Sequence, residues 1–184
     1  MVARVALREL LARYLGTDEP VELRYSAAGK PSLDSASPVG LHFSLAHAGG
    51  VALLAFGRFD VGVDVERVRP VTHAARIAER VFPARTRAVL ATVGPDEWWQ
   101  AFFAAWTQRE ALVKAVGGVL LATRDPLDFV WPPPSGVRRF VEDPGTAAAR
   151  DWTIAHLPTE SDLTAALVAA GPIERLRLSS FRPS

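Results

Sequence analysis

Three carboxylates and one lysine, carried on two separate segments, are the side chains best placed to act on a charged substrate. In Val61-Gly62-Val63-Asp64-Val65-Glu66 the strand period of two sends the valines to one face and Gly62, Asp64 and Glu66 to the other. Two carboxylates side by side in an apolar strand repel. A cation neutralising both would explain them, and so would a solvated edge strand with an ordinary polar face. In the second segment the stripe Trp99, Phe103, Trp106 continues at helical spacing onto Glu110 and then Val113. Glu110 therefore lies on or beside a buried face, where an unpaired carboxylate is unfavourable. Lys114 follows one turn later, and as a plain helix pair with Glu110 it would contribute about 0.2–0.5 kcal/mol.

Lysine is rare in this chain. Only Lys30 and Lys114 are present, against nineteen arginines. A GC-rich genome produces such a bias by itself, yet lysine suits a position that needs a compact charge or a transferable proton. His47 ends an apolar stretch just before Gly49-Gly50, where a ring nitrogen can reach a ligand over a permissive turn, or can simply be a structural histidine. Lys30, after Gly29, reads alone as a solvated loop lysine.

Composition narrows the chemistry. The 184 residues are 49% hydrophobic and 22% charged, enough for a packed core in one compact unit spanning 1–184. With no cysteine, disulfides, thiolate catalysis and sulfur-bound zinc are excluded, so a metal here would be a hard cation held by oxygen or imidazole. A net charge of +1 gives no global field for nucleic acid. Apolar runs such as Val51 to Phe56 fall far short of the roughly 20 residues of a membrane span, and no signal-peptide layout opens the chain. The expectation is a cytoplasmic monomer that contacts neither nucleic acid nor membrane.

The elements that must position these groups follow from periodicity. Val2 to Leu15 predicts an amphipathic helix ended by Gly16, and Val21 to Tyr25 a short strand before a turn-rich loop over Ser26 to Gly40. His42 to Ala46, Val51 to Phe56 and Val61 to Glu66 predict an antiparallel meander. Helices are expected over Thr72 to Arg80, Ala84 to Thr92 and Asp96 to Val116, then strands over Val137 to Val141, Trp152 to Leu157 and Leu163 to Ala169, with a last one near Arg175 to Leu178. The fold class is α+β. Two stretches, "LHFSLAHAGGVALLAF" and "DWTIAHLPTESDLTAALVA", both read as strand, turn, strand with a histidine ending the first strand. Either hairpins recur by coincidence, or the chain is a pseudo-twofold duplication of two small α+β halves, 1–68 and 69–184, with the site in the cleft between them.

Taken in order, Gly29-Lys30-Pro31, Phe43-Ser44-Leu45-Ala46-His47, Gly62-Val63-Asp64-Val65-Glu66 and Trp106-Thr107-Gln108-Arg109-Glu110-Ala111-Leu112-Val113-Lys114 resemble the 4′-phosphopantetheinyl transferase superfamily, in its surfactin-synthetase-activating branch. The resemblance spans roughly residues 4–130, and its most specific elements are the Asp-x-Glu strand and the Trp-x-x-x-Glu-x-x-x-Lys helix. Ala46 stands where the family has serine, and Arg109 where it has lysine. Such enzymes move the phosphopantetheine arm of coenzyme A onto a serine of an acyl or peptidyl carrier protein and release 3′,5′-ADP. The resemblance implies that Asp64, Glu66 and Glu110 hold Mg²⁺ with the pyrophosphate. It further implies that Glu110, directly or through a water, is the base for the serine, and that Lys114 stabilises or protonates the departing phosphate. Lys30 and His47 would contact the nucleotide phosphates. Arg76, Arg80 and Phe82 fall near the region where a carrier would dock, and an ordinary amphipathic helix explains them equally well. Two other readings stay open: a non-catalytic descendant that binds coenzyme A or a carrier domain, and a Mg²⁺-dependent phosphodiester hydrolase on another fold.

Overall fold

The computed structural model describes residues 2–27, 29–33, 40–120, 125–142, 150–160 and 162–182. Helix α1 (Val2–Leu15) buries Ala6, Leu7 and Leu11, a spacing that keeps one helical face on the core. Leu7 and Leu11 pack on Phe43. Strands β1 (Leu23–Tyr25) and β2 (Pro31–Leu33) pair antiparallel, so a hairpin partner occupies part of what the sequence predicts as loop. Strands β3 (His42–Ala48) and β4 (Val51–Gly57) form a second hairpin. Gly49 and Gly50 close it at φ 58° and 85°, the left-handed geometry that a two-residue hairpin turn requires.

The expected meander stops there. Strand β5 (Val61–Arg67) does not pair with β4; it joins a four-stranded antiparallel sheet in the order β5-β8-β7-β6, with β6 (Val137–Glu142), β7 (Arg150–Leu157) and β8 (Leu163–Ala169). Its neighbour is β8, in the register Asp64↔Ala166 and Glu66↔Thr164. The physical reason is burial on both faces. The run from Val61 to Val65 is buried throughout, which an edge strand of a solvated meander would not be. Val61, Val63 and Val65 pack with Ala46 and Ala55 of the hairpin, while the opposite face meets a helix. No strand forms near Arg175 to Leu178; that stretch is irregular.

Helices α2 (Ala74–Val81) and α3 (Ala84–Thr92) lead into α4 (Trp98–Val116), the 19-residue helix that crosses the sheet. Gly117 at φ 65° ends α4, donating its N–H to the carbonyls of Val113 and Lys114 as a left-handed C-terminal cap. Ala111, Leu112 and Ala115 bury against Trp152, Ile154, Ala166 and Val168 of the sheet. At its other end Phe102 and Phe103 share a core with Phe82, Leu90 and Phe129.

Candidate active site

The site is built where β5 and α4 touch. Gly62 is the contact point, since a Cβ there would lie 1.9 Å from the carbonyl oxygen of Ala111 and 2.5 Å from the nitrogen of Ala115. Only a residue without a side chain lets strand and helix backbones meet this closely. Gly62, Asp64 and Glu66 share a strand face, so fixing Gly62 under Ala111 directs Asp64 toward the flank of α4 that carries Glu110 and Lys114. On its free edge β5 is held by Ser44, whose Oγ accepts a 3.1 Å hydrogen bond from the backbone N–H of Val63.

Lys114 reaches the carboxylate. Its Nζ donates to Asp64 Oδ1 at 2.6 Å and to the carbonyl of Val63 at 3.3 Å. The Asp64 side chain is 9% exposed, and its second oxygen, Oδ2, is buried without a hydrogen-bond partner. Burial lifts the Asp64 carboxyl to about 6, opposed by the Lys114 charge and reinforced by the nearby charges of Glu110 and Glu66. Glu110 is also raised, chiefly by burial, with Lys114 pulling it down and Glu66 pushing it up. The three carboxylates predicted from sequence thus sense one another electrostatically. Glu66 stands nearer solvent, with an Arg69 guanidinium nitrogen 3.6 Å away.

As arranged, no three acidic or imidazole side chains among the described residues form a chelating group. The donor set nevertheless fits a hard divalent cation. All three donors are carboxylates, one buried oxygen lacks any partner, and their mutual repulsion is the strain that a cation relieves. The Asp64 oxygen nearest the helix is occupied by an ammonium group instead.

The other predicted residues divide. Contacts of β3 with β5 run from Ser44 beside Val63 to the Gly49 carbonyl, 3.4 Å from the Arg67 guanidinium. His47 lies between these two points, exposed, at the Glu66 end of the strand. Lys30 lies at the other end. Its Nζ donates to the Ala115 carbonyl at 2.8 Å, in the last turn of α4, and stands 3.7 Å from Asp60, whose Oδ1 is 2.9 Å from His42 Nδ1. Burial lowers the Lys30 amine, with Asp60 opposing. Ala46 is 4% exposed and faces the core, so that position packs against the valines. Of the expected docking residues Arg76 and Arg80 are exposed, but Phe82 is 4% exposed and packs on Phe102 at 5.5 Å between ring centroids. An amphipathic helix end had concealed its direction.

Sequence reasoning missed several supports. Gly62 carried a signal, because glycine inside a strand marks close approach of another backbone. Arg109, one residue before Glu110, points away from the site: it donates to the Leu120 carbonyl at 2.6 Å and stands 4.0 Å from Asp125, which also pairs with Arg85 at 3.8 Å. This cluster ties the segment after α4 to the back of the helix.

The family model of the 4′-phosphopantetheinyl transferase superfamily matches residues 60–168. The chain is 30% identical over 171 residues to the 4′-phosphopantetheinyl transferase HetI of Nostoc sp., covering 91% of this chain and 69% of that protein. It is 36% identical over 116 residues to AcpT of Salmonella typhimurium and 26% identical over 119 residues to Sfp of Bacillus subtilis, both 4′-phosphopantetheinyl transferases by name. It spans 58% and 51% of their lengths. Asp64, Glu66, Glu110 and Lys114 all fall inside the matched segment, and the chain belongs to the 4′-phosphopantetheinyl transferase superfamily.

Proposed function

We propose that this protein transfers the 4′-phosphopantetheine arm of coenzyme A to a serine of an acyl or peptidyl carrier protein, releasing 3′,5′-ADP. The observation that carries the reading is the 2.6 Å contact of Lys114 with Asp64, flanked by Glu66 and Glu110. It puts a flexible cation on one carboxylate at the strand–helix junction, with the other two near enough to raise that carboxyl. Asp64, Glu66 and Glu110 would hold Mg²⁺ there. When bound, Mg²⁺ neutralises the pyrophosphate oxygens on which charge accumulates during displacement.

The chain's own residues divide the remaining work. Glu110, directly or through a water, accepts the proton of the carrier serine; burial raises its basicity above that of an ordinary glutamate. The serine oxygen forms a bond to the phosphorus that carries pantetheine, and the bond from that phosphorus to the ADP oxygen breaks with its electron pair leaving on ADP. Lys114, in the last turn of α4, offsets the charge left on the departing phosphate and can supply a proton to it. His47, on the Glu66 side, and Lys30, at the end of α4, contact the nucleotide phosphates. Lys30 does so only by releasing Ala115 and Asp60.

Two of the antiparallel strand pairs, β3–β4 and β7–β8, each carry a histidine on the first strand, His47 and His156, which supports a duplication of halves 1–68 and 69–184 with the site between them. No described helix is long and apolar enough to cross a membrane. The reading here is a cytoplasmic monomer that takes coenzyme A and a carrier domain and contacts no nucleic acid. The prior engagement of Lys30 favours one rival, a non-catalytic descendant that binds coenzyme A or a carrier domain without transfer.

Incubation with Mg²⁺, coenzyme A and an apo carrier protein, followed by mass spectrometry of the carrier, separates the two. Gain of the phosphopantetheine mass is expected. An unmodified carrier, under conditions in which Sfp modifies it, would reject catalysis and leave the binding protein.

A further inference from the structure

Asp64 and Lys114 differ in their freedom to move. Asp64 sits in the middle of β5, between β8 and the β3 edge, with its side chain 9% exposed. Lys114 hangs from the last turn of α4 on four methylenes, with its side chain 32% exposed. A change of partners at this contact therefore moves the lysine and leaves the strand in place. The ammonium occupies Oδ1, the adjacent Oδ2 has no partner, and Glu66 and Glu110 flank both without closing around them. A divalent cation seated between these carboxylates would lie against the ammonium, and repulsion between the two positive charges at this half-buried point weakens the ammonium's hold on Asp64.

We propose that Lys114 is the internal counter-ion of the metal-free site, and that a divalent cation enters by exchange, taking Asp64 as the lysine amine swings out to a phosphate oxygen. The inference rests on the reading of Asp64, Glu66 and Glu110 as the metal ligands. The metal alone must expel the ammonium into water, whereas a bound pyrophosphate gives the ammonium a new partner. Metal and nucleotide consequently bind with positive coupling, and the coupling is reciprocal.

Because the chain has only two lysines, Lys30 and Lys114, the exchange is directly visible in the unmodified protein. Labelling with lysine carrying ¹³C at Cε gives two lysine methylene signals, assigned with Lys30→Arg. Titration with Mg²⁺ is expected to move the Lys114 signal and leave that of Lys30 in place. A Lys114 signal that stays put while Mn²⁺, followed by electron paramagnetic resonance, demonstrably binds would overturn the exchange and leave the metal site standing.

In the same Mn²⁺ measurement, without any phosphate ligand, Lys114→Met is expected to bind about 10-fold tighter than the unmodified protein, since no ammonium has to be expelled. Its metal-free melting temperature should fall and recover on adding Mn²⁺. Lys114→Gln, which keeps a hydrogen-bond donor without the charge, should show the same gain if the methionine variant does not fold. Equal or weaker binding by both variants refutes the exchange. Absence of Mn²⁺ binding in every form refutes the metal ligands themselves, and the exchange with them.

Discussion

The closest steric constraint in the site is Gly62, and replacing it with alanine tests the whole construction. The new Cβ would lie 1.9 Å from Ala111 O, 2.5 Å from Ala115 N and 2.9 Å from Ala111 C, whereas real Cβ contacts stay at 3.0 Å or more. All three obstacles are backbone atoms, so no side chain can rotate away. Helix and strand must separate by at least about 1 Å, in a region where Ala111, Leu112 and Ala115 are fully buried. Overpacking of this kind costs about 1–3 kcal/mol, and the backbone clash puts Gly62→Ala near the top of that range. For a chain of this size that is a fall of about 6–12 °C in melting temperature. Glu110 and Lys114 ride on the displaced helix, and a misplacement of about 1 Å in a reacting geometry can lower the rate on the order of 100-fold. Thermal melts and the carrier-modification rate measure the two effects separately. Gly94→Ala is the control, because nothing lies within 4 Å of its added methyl group. If Gly62→Ala melts and reacts like Gly94→Ala, the strand–helix contact does not position the site.

Glu110→Gln should preserve the fold and lower transfer by about 100- to 10,000-fold, the usual contribution of a positioned base; full activity in the carrier assay would exclude Glu110 from that role. His156 provides a pH test. Burial and the Arg138 charge depress its imidazole from 6.5 to about 4, so above pH 6.5 neither folded nor unfolded chain protonates it. As pH falls from 6.5 toward 4 the unfolded chain takes up a proton that the folded one refuses, so the His156 contribution declines by about 3 kcal/mol, while Asp64, raised to about 6, works in the opposite direction over the same window. Urea unfolding is therefore compared between the unmodified protein and His156→Phe: the difference in stability between them should change by about 3 kcal/mol from pH 6.5 to 4, and the same pH dependence in both contradicts the assignment. Asp125→Ala removes one ion-pair partner each from Arg109 and Arg85, the latter keeping Asp128 at 2.9 Å, and the acceptor for the part-buried Leu127 N–H. A destabilisation of about 1–3 kcal/mol is expected from the groups left unsatisfied, measured as a shift in urea midpoint, with the largest hydrogen-exchange increase around Asp125 to Phe129.

Much of the site was legible in one dimension. Alternation placed Asp64 and Glu66 on one face of a strand, helical spacing put Glu110 beside the buried stripe, and the scarcity of lysine singled out Lys114. Periods of 2 and 3.6 determine which side chains share a face, because they follow from backbone geometry within a single element. They carry no information about which element lies opposite. Tertiary structure alone decided that β5 leaves its sequence neighbour β4 for β8, 98 residues further on at Glu66↔Thr164, and that Gly62 brings α4 down onto it.

The same limit explains the residues whose direction could not be read. Phe82 and Arg109 sit at or near exposed-looking helix positions, yet one is core and the other braces the segment after α4, since burial there depends on what packs from outside the helix. His47 and His156 end similar strands in similar sequence, and only the neighbours, open solvent for one and Phe129 with Arg138 for the other, separate an exposed ring from a buried one. The residue types fixed the chemistry available to this protein. Which of them meet, Lys114 with Asp64 above all, was settled by long-range packing of a helix on a strand, a contact that no local pattern encodes.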